Sequence, residues 1–196
     1  MVGLSLEFPQ LGGWMISRED AYKLVQEKVR QKNLVKHILA VEAVMRTLAE
    51  HFGEDVEYWG LTGLLHDLDY SKTVDHPEKH TFLTEEWLEG YEIPDDMMHA
   101  IRAHPGHIPC ESKLDWALYC SDPVTGLIVA GVLMHPTKKL ADVDEGYMLR
   151  RFKEKRFAAG ADREQIAKCQ ELGLSLEEFM GLALKGMRSI SDELGF

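Results

Sequence analysis

The chain is poor in cysteine: three in 196 residues, Cys110, Cys120 and Cys169, widely spaced and with no Cys-x-x-Cys pair. The odd count and the spacing argue against a disulfide framework and against a thiolate zinc site. Basic charge is also scarce. Lys and Arg total 22 against 33 Asp and Glu, which gives a formal net charge of −11. No basic cluster of any length interrupts that surplus, so the surface repels phosphate backbones and a nucleic-acid partner is not expected. No stretch reaches the roughly 18 uninterrupted apolar residues of a membrane span, so no membrane partner is expected either. Residues 1–9 have no basic start and carry an early acid, Glu7, unlike a secretory signal. Strand-like alternation, internal repeats and low-complexity tracts are missing as well. Together these absences lead us to expect a reduced, cytoplasmic, all-helical protein.

What is present is an ordinary globular composition, 45% hydrophobic and 28% charged, in a length that suits one domain. Residues 1–16, with Pro9 and Gly12-Gly13, read as an irregular extension, and 17–196 as a single domain. Start and stop signals predict about nine or ten helices. Ser17 caps the first. A second runs from Asn33 to Phe52, stopped by Gly53, with His37 on the stripe of Val41, Val44, Met45 and Leu48. A third starts near Glu54 or Asp55, and its Gly60 and Gly63 allow a neighbouring helix to come close. Pro77 opens a helix holding His80, and Pro94 one that ends at His104. Ser112 caps a helix from Lys113 to Cys120, after which Asp122-Pro123 introduces a separate apolar run to Met134. From about residue 144, helices are expected over Asp144–Phe157, Ala161–Leu172 and, opened by the Ser175/Glu178 capping box, on towards Leu194. The methionine and leucine stripe of the last helix fills the core or faces a second copy in a homodimer.

The most informative local feature is His66-Asp67, set in the apolar run Trp59-Gly60-Leu61-Thr62-Gly63-Leu64-Leu65-His66-Asp67-Leu68. Burying a carboxylate costs several kcal/mol unless it is paired or bound to a cation. A metal ion is the simplest compensation, and His37, His80, His104 and Asp122 are further candidate ligands. Each also has an ordinary structural reading. His37 suits a core histidine, His80 a surface residue and His104 a helix end. Asp122 before Pro123 suits an N-cap.

The pattern His37…His66-Asp67…Asp122 resembles the HD-domain superfamily of metal-dependent phosphohydrolases. Gly63-Leu64-Leu65-His66-Asp67-Leu68 resembles its signature helix, and Lys36-His37-Ile38-Leu39-Ala40-Val41-Glu42-Ala43 its preceding one. Phe157-Ala158-Ala159-Gly160 and Leu172–Glu178 resemble segments of a group of small predicted HD hydrolases. The resemblance implies an all-α HD-domain helical bundle with metal ligands at His37, His66, Asp67 and Asp122. Dinuclear members add two histidines, which here fall on His80 and His104, with His76 and His107 as competing choices. Asp67 would then bridge two ions.

The implied cofactors are one or two divalent ions, Fe, Mn, Zn, Co or Ni, since mixed imidazole and carboxylate ligation suits all of them. The implied activity is attack by a metal-activated water on a nucleotide or other small phosphorylated molecule. Asp67 would orient that water. Lys72 is either a phosphate contact or a solvated loop lysine, and Arg102 is a further candidate. His107 is placed to protonate a leaving group if it is not a ligand. Asp69 either holds a ligand imidazole or ends its helix. A di-iron oxygenase cleaving a C–C or C–P bond is the alternative on the same fold, and a non-catalytic binding module a second one.

Overall fold

The computed structural model describes residues 15–196, so the expected extension lies outside the described residues up to residue 14. All described regular structure is helical. Ser17 caps α1 (Arg18–Lys28) by accepting from the Asp20 amide. α2 (Lys32–Phe52) ends as its glycine predicts, with Gly53 in the left-handed region at φ 71°. Asp55 caps α3 (Val56–Leu65) by accepting from the Tyr58 amide.

α3 packs along α2 because Gly63 leaves room: a Cβ there would lie 3.0 Å from the Glu42 backbone. On the other side of α2 the same device recurs. A Cβ on Gly186 would sit 2.6 Å from the Ala43 carbonyl oxygen. Neither partner can yield, since both are helix backbone. Gly186→Ala should therefore cost about 1–3 kcal/mol by overpacking, beyond anything gained in helix propensity. Urea unfolding of the variant measures it, and an unchanged midpoint would mean the two helices part at no cost.

The next segment departs from expectation. α3 stops at Leu65, so His66 closes the helix instead of lying inside it. A single turn, α4 (Tyr70–Thr73), follows. His80 is not on a helix: it stands between a 3-10 turn over Pro77–Lys79 and α5 (Phe82–Leu88). Pro77 starts a helical turn as predicted, but Thr81 at φ 76° breaks its continuation. α6 (Asp95–Ala103) ends at His104.

The two helices expected around Asp122 are one, α7 (Lys113–Met134), with Pro123 inside it. Proline removes a single donor, and the helix survives because Leu118 and Cys120 before it and Val124, Leu127, Ile128 and Val132 after it are buried. Asp122 therefore projects from a helix interior and is no N-cap. Joined in this way, α7 becomes the one helix among the described residues long and apolar enough to cross a membrane. Here it is a core helix, lined by α2, α6 and the C-terminal helix Leu176–Ser189.

α8 (Glu145–Phe152) is shorter than expected, because residues 153–160 form turns around Arg163. That guanidinium donates to the carbonyls of Ala158 at 2.5 Å, Ala161 at 2.6 Å and Phe157. The predicted helix from Ala161 to Leu172 splits into α9 (Arg163–Ala167) and a 3-10 stretch, Lys168–Leu172. α10 (Leu176–Ser189) opens on the Ser175/Glu178 capping box, and α11 (Ser191–Leu194) closes the chain. Phe179, Met180, Leu184 and Met187 are fully buried, so the methionine and leucine stripe is core and not a dimer face.

Apolar burial forms two clusters. One gathers α7, α10 and the C-terminal half of α2. The other gathers α1, α3, α6 and residues packed on the N-terminal half of α2. His37 of α2, His66 at the end of α3, His104 at the end of α6 and Asp122 in the middle of α7 thus come from elements of both.

Candidate metal centre

Asp67 is the centre of the site. Its Oδ2 lies 3.6 Å from His37 Nε2 and 3.6 Å from His66 Nε2. Its Oδ1 lies 3.1 Å from His80 Nε2 and 3.5 Å from His104 Nε2. One carboxylate therefore faces two pairs of imidazoles, one pair on each oxygen. Asp122 Oδ1 joins the first pair, 3.1 Å from His37 Nε2 and 4.0 Å from His66 Nε2.

The rings are aimed by what their other nitrogens do. His66 Nδ1 donates to the Gly63 carbonyl at 2.7 Å, and His104 Nδ1 to the Ile101 carbonyl at 2.6 Å. Both acceptors belong to last turns of helices, where carbonyls lack backbone donors. His80 Nδ1 donates to Asp69 Oδ1 at 2.7 Å. Thr125 Oγ1 donates to the Asp122 carbonyl at 3.0 Å, so it accepts from His37 Nδ1, also at 3.0 Å. All four Nε2 atoms are thereby turned towards Asp67, the arrangement that second-sphere hydrogen bonds give metal-binding histidines.

Asp69 resolves one of the open readings: it does not merely end a helix but holds the His80 imidazole. Its own Oδ2 accepts from the amides of Leu83 at 3.1 Å and Thr84 at 3.3 Å. Thr125, three residues after Asp122 and so on its side of α7, was not singled out from sequence, though its i+3 spacing is a usable signal.

These residues fit a cation. His66 Nε2 is buried with no hydrogen-bond partner, a cost that a metal–ligand bond would remove. Ligand atoms about 2.0–2.2 Å from one ion lie roughly 3–3.5 Å from each other, close to the separations found here. His37, His66 and Asp122 form one set that could hold an ion, and His66, Asp67 and His104 another. The donor set is nitrogen and oxygen only, which suits the first-row divalent ions named above.

The electrostatics follow from burial and from Asp67. Burial pushes the His66 pKa down to about 4, against the opposing pull of Asp67. Burial also works against the His80 imidazolium, but Asp67 and Asp69 outweigh it and push its pKa up to about 9. His37 is raised in the same way, by Asp122 and Asp67 against burial. Burial would raise Asp67, yet the surrounding imidazoles hold it well below the ordinary carboxylate range. Asp122 is lowered by His37 against its burial. Both acids are therefore ionised and available as ligands.

A cavity of about 900 Å³ opens onto His37, Asp67, His80, His104 and Asp122. Tyr70 and His107 also line it. His107 Nε2 donates to the His80 carbonyl at 3.0 Å and its ring stacks on Phe82, so His107 stands beside the ligand set and outside it. His76 is exposed and pairs with Glu78; Glu78 lines the cavity but His76 does not. Lys72 is exposed and does not line the cavity, because Tyr70, Thr73 and Val74 take the inner face of that turn. Arg102 pairs with Glu85 and is also outside the lining.

Comparison with known proteins agrees with this geometry. The family model for the HD domain matches residues 34–167, a span that holds all six candidate ligands. Curated relatives include Ribonuclease Y of Desulfotalea psychrophila, 28% identical over 75% of this chain and 32% of that protein. Ribonuclease Y of Sulfurovum sp. is 26% identical over 84% of this chain and 33% of that protein. Ribonuclease Y of Nitratidesulfovibrio vulgaris is 30% identical over 48% of this chain and 18% of that protein. The chain thus spans about a third of the length of the first two relatives. No solved structure matches.

Proposed function

Because the chain belongs to the HD-domain family, we propose that it is a metal-dependent phosphohydrolase acting on a nucleotide or another small phosphorylated molecule. The observation that carries this reading is the division of Asp67 between two imidazole pairs, His37 with His66 and His80 with His104. Divalent ions at such a centre lower the pKa of water towards neutrality and neutralise phosphoryl oxygens.

The chain's own residues do the rest. Asp67 and Asp122 supply the negative charge that holds cations, while the buried rings of His66 and His104 keep the inner wall dry. His107, beside the ligand set at the cavity wall, is the candidate proton donor to a leaving group. Tyr70, 42% exposed and edge-on to the His80 ring, offers an aromatic surface for a base at the rim. A cavity of about 900 Å³ matches a nucleotide-sized ligand.

Hydrolysis of RNA is a second reading, favoured by the name of the relatives. The lining weighs against it: among the described residues it contains Glu78 and Asp162 but neither Lys nor Arg. A phosphate backbone would find no counter-charge there beyond the ions themselves. The same reading puts the protein in the cytoplasm, supported by three unpaired cysteines.

The test combines elemental mass spectrometry on protein purified without chelators with phosphate release from mononucleotides and from short RNA. About two ions per chain and release from mononucleotides are expected. Failure to take up Mn, Fe, Co, Ni or Zn would overturn the proposal. Iron with O₂ consumption and no phosphate release would replace it with an oxygenase.

A further inference from the structure

We propose that Gln165 is a positioning residue that ties the strand of backbone behind His104 to the turn of α7 that carries Asp122. Pro123 has no N–H, so the Tyr119 carbonyl, four residues earlier in α7, loses its helical donor. Gln165 Nε2 supplies the missing bond at 2.8 Å. The same nitrogen donates to the His104 carbonyl at 3.1 Å. Both acceptors are carbonyls, so the amide orientation is fixed: turned over, its oxygen would face two oxygens. Both hydrogens of one side-chain amide are thus spent on main-chain atoms, one beside each end of the ligand set.

The origin of Gln165 strengthens the case. It lies in α9, a five-residue helix held at its start by Asp162, whose Oδ1 accepts from the Glu164 and Gln165 amides. It also lines the cavity. The proline that places Asp122 beside a weakened turn and the glutamine that repairs this turn therefore act as a pair. Without Gln165, α7 has a loose joint one turn before Asp122, and the end of α6 has an unanchored carbonyl at His104. Residues that orient metal ligands from outside typically change metal affinity by about 10–100-fold. Gln165 acts on the main chain of His104 and of Tyr119, three residues before Asp122, rather than on one ring, so an effect in that range is expected.

This inference rests on the metal-centre reading, and two measurements keep their failures apart. The first uses metal-free protein. Gln165→Ala should lower Tm by roughly 4–8 °C, as expected for unsatisfied buried carbonyls in a chain of this size. Pro123→Ala returns an N–H to the Tyr119 carbonyl, so in that background Gln165→Ala should cost about half as much. Equal losses in both backgrounds would overturn the proposed repair, whether or not the protein binds metal.

The second measurement is metal affinity by competition with a chromophoric chelator. Gln165→Ala should weaken binding on the order of 10–100-fold, while Gly186→Ala, remote from the ligands, should lower Tm and leave affinity unchanged. If the two variants bind metal equally well, Gln165 is only structural. If the unaltered protein binds no metal, the functional reading fails instead, and the Tm cycle still decides whether the staple exists.

Discussion

Replacing Asp67 with Ala should strip both ions from the protein and reduce hydrolysis by more than about 100-fold, beyond what residues outside the ligand set contribute. The reason lies in the count of partners. Each oxygen of this carboxylate is shared by two imidazoles, so its loss removes a ligand from both halves of the centre at once. The helix content should survive. Asp67 lies in the turn after α3, caps nothing, and the His80 proton that it stabilises can leave for solvent when its counter-charge is gone. Elemental analysis, circular dichroism and phosphate release on one preparation measure all three effects. A variant that keeps two ions would show that the carboxylate is a buried ion-pair partner and no bridge.

The second large effect is a dependence of metal affinity on pH, to which two histidines contribute unequally. His66, with a pKa of about 4, is already neutral at pH 7 and releases no proton when it becomes a ligand. His80, with a pKa of about 9, carries a proton at pH 7 and must lose it. Loading the His80 side should therefore tighten about tenfold for each pH unit from about 7 to 9 and level off above that. His37, raised by Asp122, adds to the slope below its own pKa. Asp69→Asn removes one of the two carboxylates that hold the proton on His80, so its plateau should begin at lower pH. Chelator competition at a series of pH values checks both. A flat profile for the native protein would mean that His80 is not a ligand.

Much of this centre was legible as residue types. His37, Asp67, His80, His104 and Asp122 line the cavity and His66 stands behind it against Asp67, while His76, Lys72 and Arg102 do not line it. What the sequence concealed was local conformation. Pro123 reads as the start of a helix because proline favours first turns, yet burial along α7 overrides that preference. His80 reads as helical because of Pro77, yet the left-handed residue Thr81 follows it. Asp69 had two readings of equal standing, and only its distance to His80 separates them. Gln165 left no trace at all. Its partners are 61 and 46 residues away, and a glutamine in a polar stretch carries no periodic signal.

The hydrogen bonds of His66 and His104 have a consequence for how the chain tolerates insertion. Each ring is anchored to the carbonyl three residues before it, at the last turn of its own helix. Helix length is therefore the sighting mechanism of the centre. One residue added between Asp55 and Leu65 would leave every chemical group intact and every core residue available. It would also swing the His66 ring by about 100° around the helix axis, away from Asp67. In α3 and α6 the molecule is more sensitive to the number of residues than to most of their identities.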